Sequence, residues 1–287
     1  MRITKITATA LLSLILAACG GLSGGGTGAG DGGAIEHPTG ADELVLRVES
    51  SGGFVPVEYN LTRLPSWSLY GDGRIVTEGP QIEIYPQPAL PNLLVRRVTE
   101  DGVQAILQAA RDAGLMDGDV TFPNPCVADA PDTIFTMAAE GSTSVVSAAA
   151  LGLDGEGACE GVDTEARAKL AAFQNDLGDL ERWLPKGSVG VEEPYAVEDL
   201  RIFTLAYQGD PNLPQESVKW PLAAPLDSFG EAAEDGLEEA RCGTVTGSDL
   251  EALRPSLETA NQLTPWSSGA ERYRLLLRPL LPDEHGC

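Results

Sequence analysis

Histidine is nearly absent from this 287-residue chain, which contains His37 and His285. Histidine is the usual general base and metal ligand near neutral pH. His37 falls in a glycine-rich segment and His285 lies close to the last residue, so neither position predicts the rigidly held imidazole of a Ser-His-Asp triad. The spacing His-Glu-x-x-His of zinc hydrolases and a Ser-x-x-Lys pair are also missing. The sequence therefore predicts no catalytic histidine, no metal site and no cofactor.

Basic residues are scarce as well: 19 lysines and arginines stand against 43 aspartates and glutamates, for a formal net charge of -24. Such an excess repels the phosphates of nucleic acids and anionic lipid headgroups. It argues against a nucleic-acid partner and against membrane binding through a basic patch. Solubility is the simplest explanation of the charge, which leaves a cationic ligand or partner open.

Aspartate and glutamate are the only abundant residues in this chain whose side chains commonly act as catalytic acids or bases. A glycan-cleaving enzyme needs two of them facing each other across a cleft, and the sequence singles out no such pair. The acidic turns at Asp72-Gly73 and Asp154-Gly155-Glu156 lack the spacing of a calcium-binding loop. We therefore assign no catalytic residue from the sequence. A deep cleft with facing carboxylates would favour an enzyme, whereas a surface patch of aromatic side chains would favour binding.

Only one long apolar run is present, and it is too short to span a bilayer stably. Residues 6–16 are apolar and follow Arg2 and Lys5, which is the layout of a secretory signal. The segment Leu16-Ala17-Ala18-Cys19 resembles the bacterial lipobox, in which the cysteine receives a diacylglyceryl group and becomes the first residue. The resemblance implies a signal peptide over residues 1–18 and an extracytoplasmic protein held on the cell membrane through lipidated Cys19. The alternative is a secreted soluble protein that is cleaved nearby.

Glycine dominates the residues after Cys19. With almost no apolar side chains to bury, residues 19–41 are expected to form a lipid-anchored, disordered tether. The folded part is expected to begin at Asp42, with an N-terminal α+β lobe over 42–190 and a C-terminal α+β lobe over 191–287. A faint similarity at an offset of 147 residues, as between Val98-Thr99 and Val245-Thr246, suggests two related lobes. Unrelated amphipathic helices match one another as easily.

The apolar periodicities predict an α+β fold in which antiparallel sheets are each covered by a helix. Turn residues predict hairpins at Asp72-Gly73 and Glu140-Gly141, and the prolines of residues 80–91 predict an edge or loop that contains Tyr85. The other predicted elements are strands at Leu44–Val48, Ile82–Ile84, Leu200–Tyr207, Cys242–Thr246 and Tyr273–Arg278, and helices from Thr99 to Gly114, from Thr164 to Leu184, and from a Ser248/Glu251 capping box to Ala260.

Four cysteines remain once Cys19 is assigned to the lipid: Cys126, Cys159, Cys242 and Cys287. An even number in an oxidising compartment predicts two disulfides. Three pairings are possible. The nearest-neighbour pairing, Cys126 with Cys159 and Cys242 with Cys287, would confine each bridge to one half of the chain.

Three residues are candidates for a binding surface: Tyr85, Trp266 and Arg278. Exposed aromatic side chains in loops are typical of such surfaces, although burial in the core would explain Tyr85 equally well and is the favoured explanation of Trp266. Arg278 would suit a carboxylate or phosphate ligand. An internal ion pair is the alternative explanation for this arginine.

The segments at residues 69–74, 90–94 and 278–284 are similar to those of uncharacterised lipoproteins of actinobacterium-like bacteria. This resemblance implies a location and no activity. Because no catalytic set is recognisable, the leading hypothesis is a non-catalytic lipoprotein that binds an envelope protein or a small ligand, or supports an assembly. The alternative is a carboxylate-dependent hydrolase that acts on cell-envelope glycan.

Overall fold

The strands of this protein form two mixed β-sheets. The computed structural model describes residues 33–153, 160–233, 237 and 239–287. The predicted α+β class is confirmed. In chain order the strands are β1 (Leu44–Ser51), β2 (Trp67–Tyr70), β3 (Arg74–Glu78), β4 (Leu93–Arg97), β5 (Val120–Phe122), β6 (Asp132–Ala139), β7 (Ser142–Ala149), β8 (Glu193–Pro194), β9 (Asp199–Ala206), β10 (Val218–Lys219), β11 (Glu231–Ala232), β12 (Arg241–Thr246), β13 (Pro265–Ser268) and β14 (Glu271–Pro279). The α-helices are α1 (Val57–Thr62), α2 (Glu100–Asp112), α3 (Thr164–Leu177) and α4 (Gly247–Leu257).

The first sheet has the strand order β5-β7-β6-β1-β2-β3-β4-β8, and the second has the order β10-β13-β14-β9-β12-β11. Nearly all neighbouring strands are antiparallel, as expected. The pairs β5–β7 and β10–β13 are parallel, so each sheet is mixed at one edge. The change from one sheet to the other falls between Pro194 and Asp199, and both sheets belong to the compact unit Ala34–Cys287. The lobe division at residue 190 stays a prediction.

Helices cover one face of each sheet and so form the two main hydrophobic cores. Side chains of α2 and α3 pack on the first sheet, and side chains of α4 pack on the second together with Trp220 and Trp266. The α2 helix begins as predicted, because the Thr99 hydroxyl accepts a hydrogen bond from the Gly102 amide. Gly114, at φ +86°, ends this helix region, and Leu115 folds back into the core.

Three local predictions are wrong. Residues 82–84 form no strand, because the prolines around them supply no amide donors to a sheet, and Ile82 and Ile84 are exposed. The α3 helix ends at Leu177 and is followed by a 3₁₀ turn at Leu180–Arg182, although Leu180 stays buried. The N-cap of α4 is Thr246 rather than Ser248, since β12 runs directly into the helix.

The folded unit also begins earlier than residue 42. Ile35 is only 4% exposed and packs in the first core. Its amide donates to Gln104 Oε1 at 2.8 Å, and its carbonyl accepts from Gln104 Nε2 at 2.9 Å. Ile35 and Gln104 of α2 therefore hold in place a segment that its composition alone predicts to be part of the disordered tether. The earlier residues of the predicted tether, from Cys19 to residue 32, lie outside the described part.

The two sheets share one local succession, in which a threonine N-cap, Thr99 or Thr246, stands before a helix. Their strand pairing after that helix is different. The helix of the first sheet, α2, is followed by the hairpin β6/β7, and the first strand of that hairpin, β6, pairs with β1. The helix of the second sheet, α4, is followed by the hairpin β13/β14, and the second strand of that hairpin, β14, pairs with β9. The similarity at offset 147 therefore corresponds to local helix starts and not to a common strand order.

A disulfide joins Cys242 in β12 to Cys287, with an S–S distance of 2.06 Å. This half of the nearest-neighbour pairing is confirmed. Cys126 is also disulfide-bonded, and its expected partner Cys159 lies outside the described residues. Within the described ranges, no helix combines the length and the apolar character needed to cross a bilayer.

Candidate functional site: an apolar cleft beside helix α1

A cleft with a volume of about 600 Å³ lies between α1, the proline-rich loop 80–91 and β14. We call it the α1 cleft. Its walls are mainly apolar and include Leu64, Pro88, Leu90 and Leu276. The size and the apolar lining are typical of ligand-binding clefts.

Local sequence features position the cleft walls. Pro56 is the N-cap of α1 and contributes to the lining, and the short helix ends at Thr62. The Arg278 Nε donates to the Arg63 carbonyl at 3.2 Å, which holds the end of α1 on β14. On the opposite wall the side-chain Nε2 of Gln87 donates to the Ile82 carbonyl at 2.8 Å, a hydrogen bond between two residues of the proline-rich loop.

Exposed apolar side chains are concentrated in two segments that contribute residues to the walls of this cleft. Seven of the ten large exposed apolar side chains in the described ranges lie in segments 54–59 and 82–85, and we call these seven the apolar rim. Phe54 is 87% exposed and Tyr85 is 69% exposed. Solvent contact on this scale costs hydrophobic free energy, and its concentration at one place is typical of a binding surface. The rim residues are Phe54, Val55, Val57, Tyr59, Ile82, Ile84 and Tyr85.

The charged groups of the cleft are incompletely paired. The nearest ion-pair contact of Arg274 joins its Nη1 to Glu58 Oε1 at 3.7 Å, and its Nε is buried without a hydrogen-bond partner among the described residues. Glu78 also lines the cleft, and partial desolvation raises the pKa of its carboxyl although part of the side chain meets solvent. The side chains of Glu78 and of Glu83 in the rim segment make no hydrogen bond or ion pair with any described residue.

A different arrangement holds the last residues of the chain. Arg47 Nη2 donates to Asp283 Oδ1 at 2.7 Å, and the Tyr70 hydroxyl donates to the same oxygen at 2.9 Å. Arg278 makes two parallel hydrogen bonds to the Glu284 carboxylate, at 2.7 and 2.8 Å. We call these five residues, Arg47, Tyr70, Arg278, Asp283 and Glu284, the C-terminal polar network.

Protonation within the network reflects its pairing. Burial pushes the pKa of Glu284 upward, but the hydrogen bonds and charge of Arg278, helped by the Leu281 amide at 2.9 Å, bring it below its usual range. Burial is also the main reason that the pKa of Tyr70 is raised, so this phenol stays protonated as a donor. The network is therefore a set of satisfied contacts that joins the first sheet to the C-terminal segment.

The structure gives different positions to the three predicted surface residues. Tyr85 lies on the wall of the α1 cleft and is exposed. Trp266 is only 1% exposed and its ring meets Trp220 edge to face at 6.0 Å, so it is a core residue and contributes no binding surface. Arg278 forms the internal ion pair that was its alternative explanation.

Sequence reasoning missed the rest of the cleft. Glu58 and Tyr59 meet Arg274 because α1 packs against β14, more than 200 positions away in the chain, and Glu78 joins them from the end of β3. One signal in the sequence was the apolar run at residues 54–57, directly after Gly52-Gly53. This run has neither helical nor strand periodicity, so nothing in the pattern predicts that its side chains pack in the core. A metal site is not found: within the described ranges no three His, Cys, Asp or Glu side chains are grouped to hold an ion.

The candidate lipidation site, Cys19, lies outside the described residues. No family model, curated protein or solved structure matches this chain.

Proposed function

We propose that this protein is an extracytoplasmic lipoprotein, anchored to the cell membrane through lipidated Cys19, and that it acts without catalysis by binding an envelope partner through the α1 cleft. The observation that carries the binding role is the apolar rim around an open, mainly apolar cleft. Monomeric proteins rarely concentrate exposed apolar side chains in one place unless that place binds something.

The anchor is supported by the order of charge, apolar run, small residues and cysteine at the start of the chain. The disulfide between Cys242 and Cys287 is consistent with an oxidising compartment outside the cytoplasm. Two acyl chains on one residue suffice for lasting attachment to a membrane. The protein, although strongly acidic, would therefore need no basic surface patch to stay on the membrane.

Mass spectrometry of the native protein tests the anchor. The proposal predicts a mature chain that starts at Cys19 and carries a diacylglyceryl group on the thiol, and it predicts that Cys19→Ser is released from membrane fractions or retains its leader. An unmodified thiol at residue 19 in the native product would contradict the anchor.

Copurification from intact envelopes tests the binding role. Wild type, Tyr85→Ser and Val145→Ser are isolated in parallel; Val145 is an exposed apolar residue of β7 outside the cleft and so provides a matched control. The proposal predicts a ligand or protein that accompanies wild type and Val145→Ser but is depleted from Tyr85→Ser. Identical material from all three would mean that the cleft is not the binding surface.

The hydrolase alternative is favoured by one observation. Glu58 and Glu78 both line the α1 cleft, and desolvation raises the pKa of Glu78, as a general acid requires. Incubation of the purified protein with envelope glycan distinguishes the two functions. Cleavage by wild type that Glu78→Gln abolishes would replace the binding proposal, whereas no turnover by either protein is the result that binding predicts.

A further inference from the structure

Resting on the proposed binding function, we propose that the α1 cleft docks a basic polypeptide segment in which aromatic or aliphatic side chains stand beside lysine or arginine. The apolar side chains would enter the cleft, and the cationic groups would face the carboxylates on its walls and rim.

The extent of the apolar surface favours a polypeptide over a small molecule. The cleft itself has a volume of about 600 Å³, which a compact ligand would fill. The apolar rim extends beyond it, however, because only Tyr59 and Tyr85 of the seven rim residues line the cleft. A ligand confined to the cleft would leave the other five side chains in water, whereas an extended segment crossing the cleft would cover them.

Carboxylates outnumber cations on the cleft walls, where Glu58 and Glu78 stand against Arg274, and this excess favours a cationic partner. Glu78 and Glu83 are unpaired among the described residues, and Glu58 meets Arg274 only at 3.7 Å. A cation held close to Glu78 stabilises the ionised carboxylate and so offsets the desolvation that raises its pKa. The whole chain, at -24, attracts cationic partners to this surface and speeds their association.

The rim already displays the matching contact within the chain. The guanidinium of Arg63 lies 4.7 Å from the centroid of the Tyr59 ring. Tyr85 presents an exposed ring on the opposite wall of the same cleft. A lysine or arginine of the partner can therefore stack on Tyr85 as Arg63 does on Tyr59.

Fluorescence anisotropy with short labelled peptides tests the charge and the apolar requirement separately. One peptide alternates leucine with lysine, a second alternates leucine with glutamate, and a third alternates serine with lysine. The full chain is held in phosphatidylcholine nanodiscs, or used in solution if fractionation finds it unanchored, and empty nanodiscs supply the background. We expect binding of the leucine–lysine peptide and about ten-fold weaker binding of the other two. Equal binding of the leucine–glutamate peptide would overturn the proposal.

A carboxylate pair tests the site. The double variant Glu78→Gln/Glu83→Gln should weaken binding of the leucine–lysine peptide about five-fold at low salt, and this difference should shrink as salt screens the charges. Glu231→Gln/Glu271→Gln, at exposed carboxylates of β11 and β14 outside the cleft lining, removes the same number of charges; it is the matched control and should bind as wild type does. No change in the double variant, or an equal loss in the control, would overturn the proposal.

Failure of this inference is distinguishable from failure of the proposed function. If no peptide binds while envelope material still depends on Tyr85, the cleft binds something other than a basic segment. If neither the peptides nor envelope material depends on Tyr85, the binding role itself is wrong.

Discussion

The α1 cleft and the C-terminal polar network both contain residues of strand β14, but they differ in how completely their charged side chains are paired. In the network Arg278 meets Glu284 through two hydrogen bonds and both side chains are largely buried. In the cleft, four residues earlier on the same strand, Arg274 meets its carboxylate only at 3.7 Å. Charges that are saturated within the chain stabilise the fold, whereas charges left unsaturated beside exposed apolar groups are available to a partner.

The largest expected contrast lies between these two arginines. Arg278→Ala leaves the Glu284 carboxylate largely buried without its cation, so we expect the free energy of unfolding to fall by about 3 kcal/mol. Arg274→Ala removes no close ion pair, and we expect a change of about 1 kcal/mol or less. Urea unfolding of both variants measures the difference. Equal losses would remove the distinction between network and cleft.

Removal of the disulfide is expected to cost a similar amount. The bridge spans a sequence separation of 45 residues and fixes the chain end beside the network. Replacing both Cys242 and Cys287 by serine should lower the free energy of unfolding by about 2–4 kcal/mol, mainly because the unfolded chain gains freedom. Urea unfolding under oxidising conditions checks this, with reduced wild type as the comparison. A double variant as stable as oxidised wild type would show that the bridge adds nothing.

The pH dependence should have opposite signs in the two regions. The folded pKa of Glu284 is lowered, so its stabilisation is present above the unfolded pKa of about 4.3 and is lost as pH falls through the folded value. We expect Glu284→Gln to cost about 2 kcal/mol near neutral pH and progressively less in acid. The pKa of Glu78 is raised, so its ionised form opposes folding, and this cost is relieved as pH falls. Glu78→Gln should therefore match or exceed wild type in stability at neutral pH.

Urea unfolding of wild type, Glu284→Gln and Glu78→Gln at neutral and acid pH measures how each substitution changes the free energy of unfolding, and so gives the sign of both effects. If Glu284→Gln were as stable as wild type at neutral pH, the network would not depend on an ionised carboxylate. A loss of stability in Glu78→Gln at neutral pH would mean that this carboxylate has a structural partner.

The smallest effect on stability is expected at the rim. Tyr85 is exposed, so Tyr85→Ser should change the free energy of unfolding by about 0.5 kcal/mol or less while it removes binding. Thermal unfolding beside the peptide titration measures both quantities. A strongly destabilised Tyr85→Ser variant would indicate that this ring supports the fold rather than a partner.

Local signals account for the features that could be predicted. The Thr99 cap, the Gly114 stop and the Glu140-Gly141 hairpin depend on neighbouring residues, and the structure contains each of them. Burial of Ile35 depends on Gln104, which lies 69 positions away, and a glycine-rich composition hides it. The cleft depends on α1 meeting β14. No periodicity in one segment encodes that contact, so of the cleft only Tyr85 was predicted.

Hydrogen–deuterium exchange of the native chain with and without the leucine–lysine peptide tests the central claim most directly. The account predicts slower exchange of backbone amides in residues 54–62 and 80–91 when the peptide is present, with unchanged exchange in residues 280–287 of the C-terminal segment. Protection at the C-terminal segment instead, or no protection around the α1 cleft under saturating peptide, would contradict it.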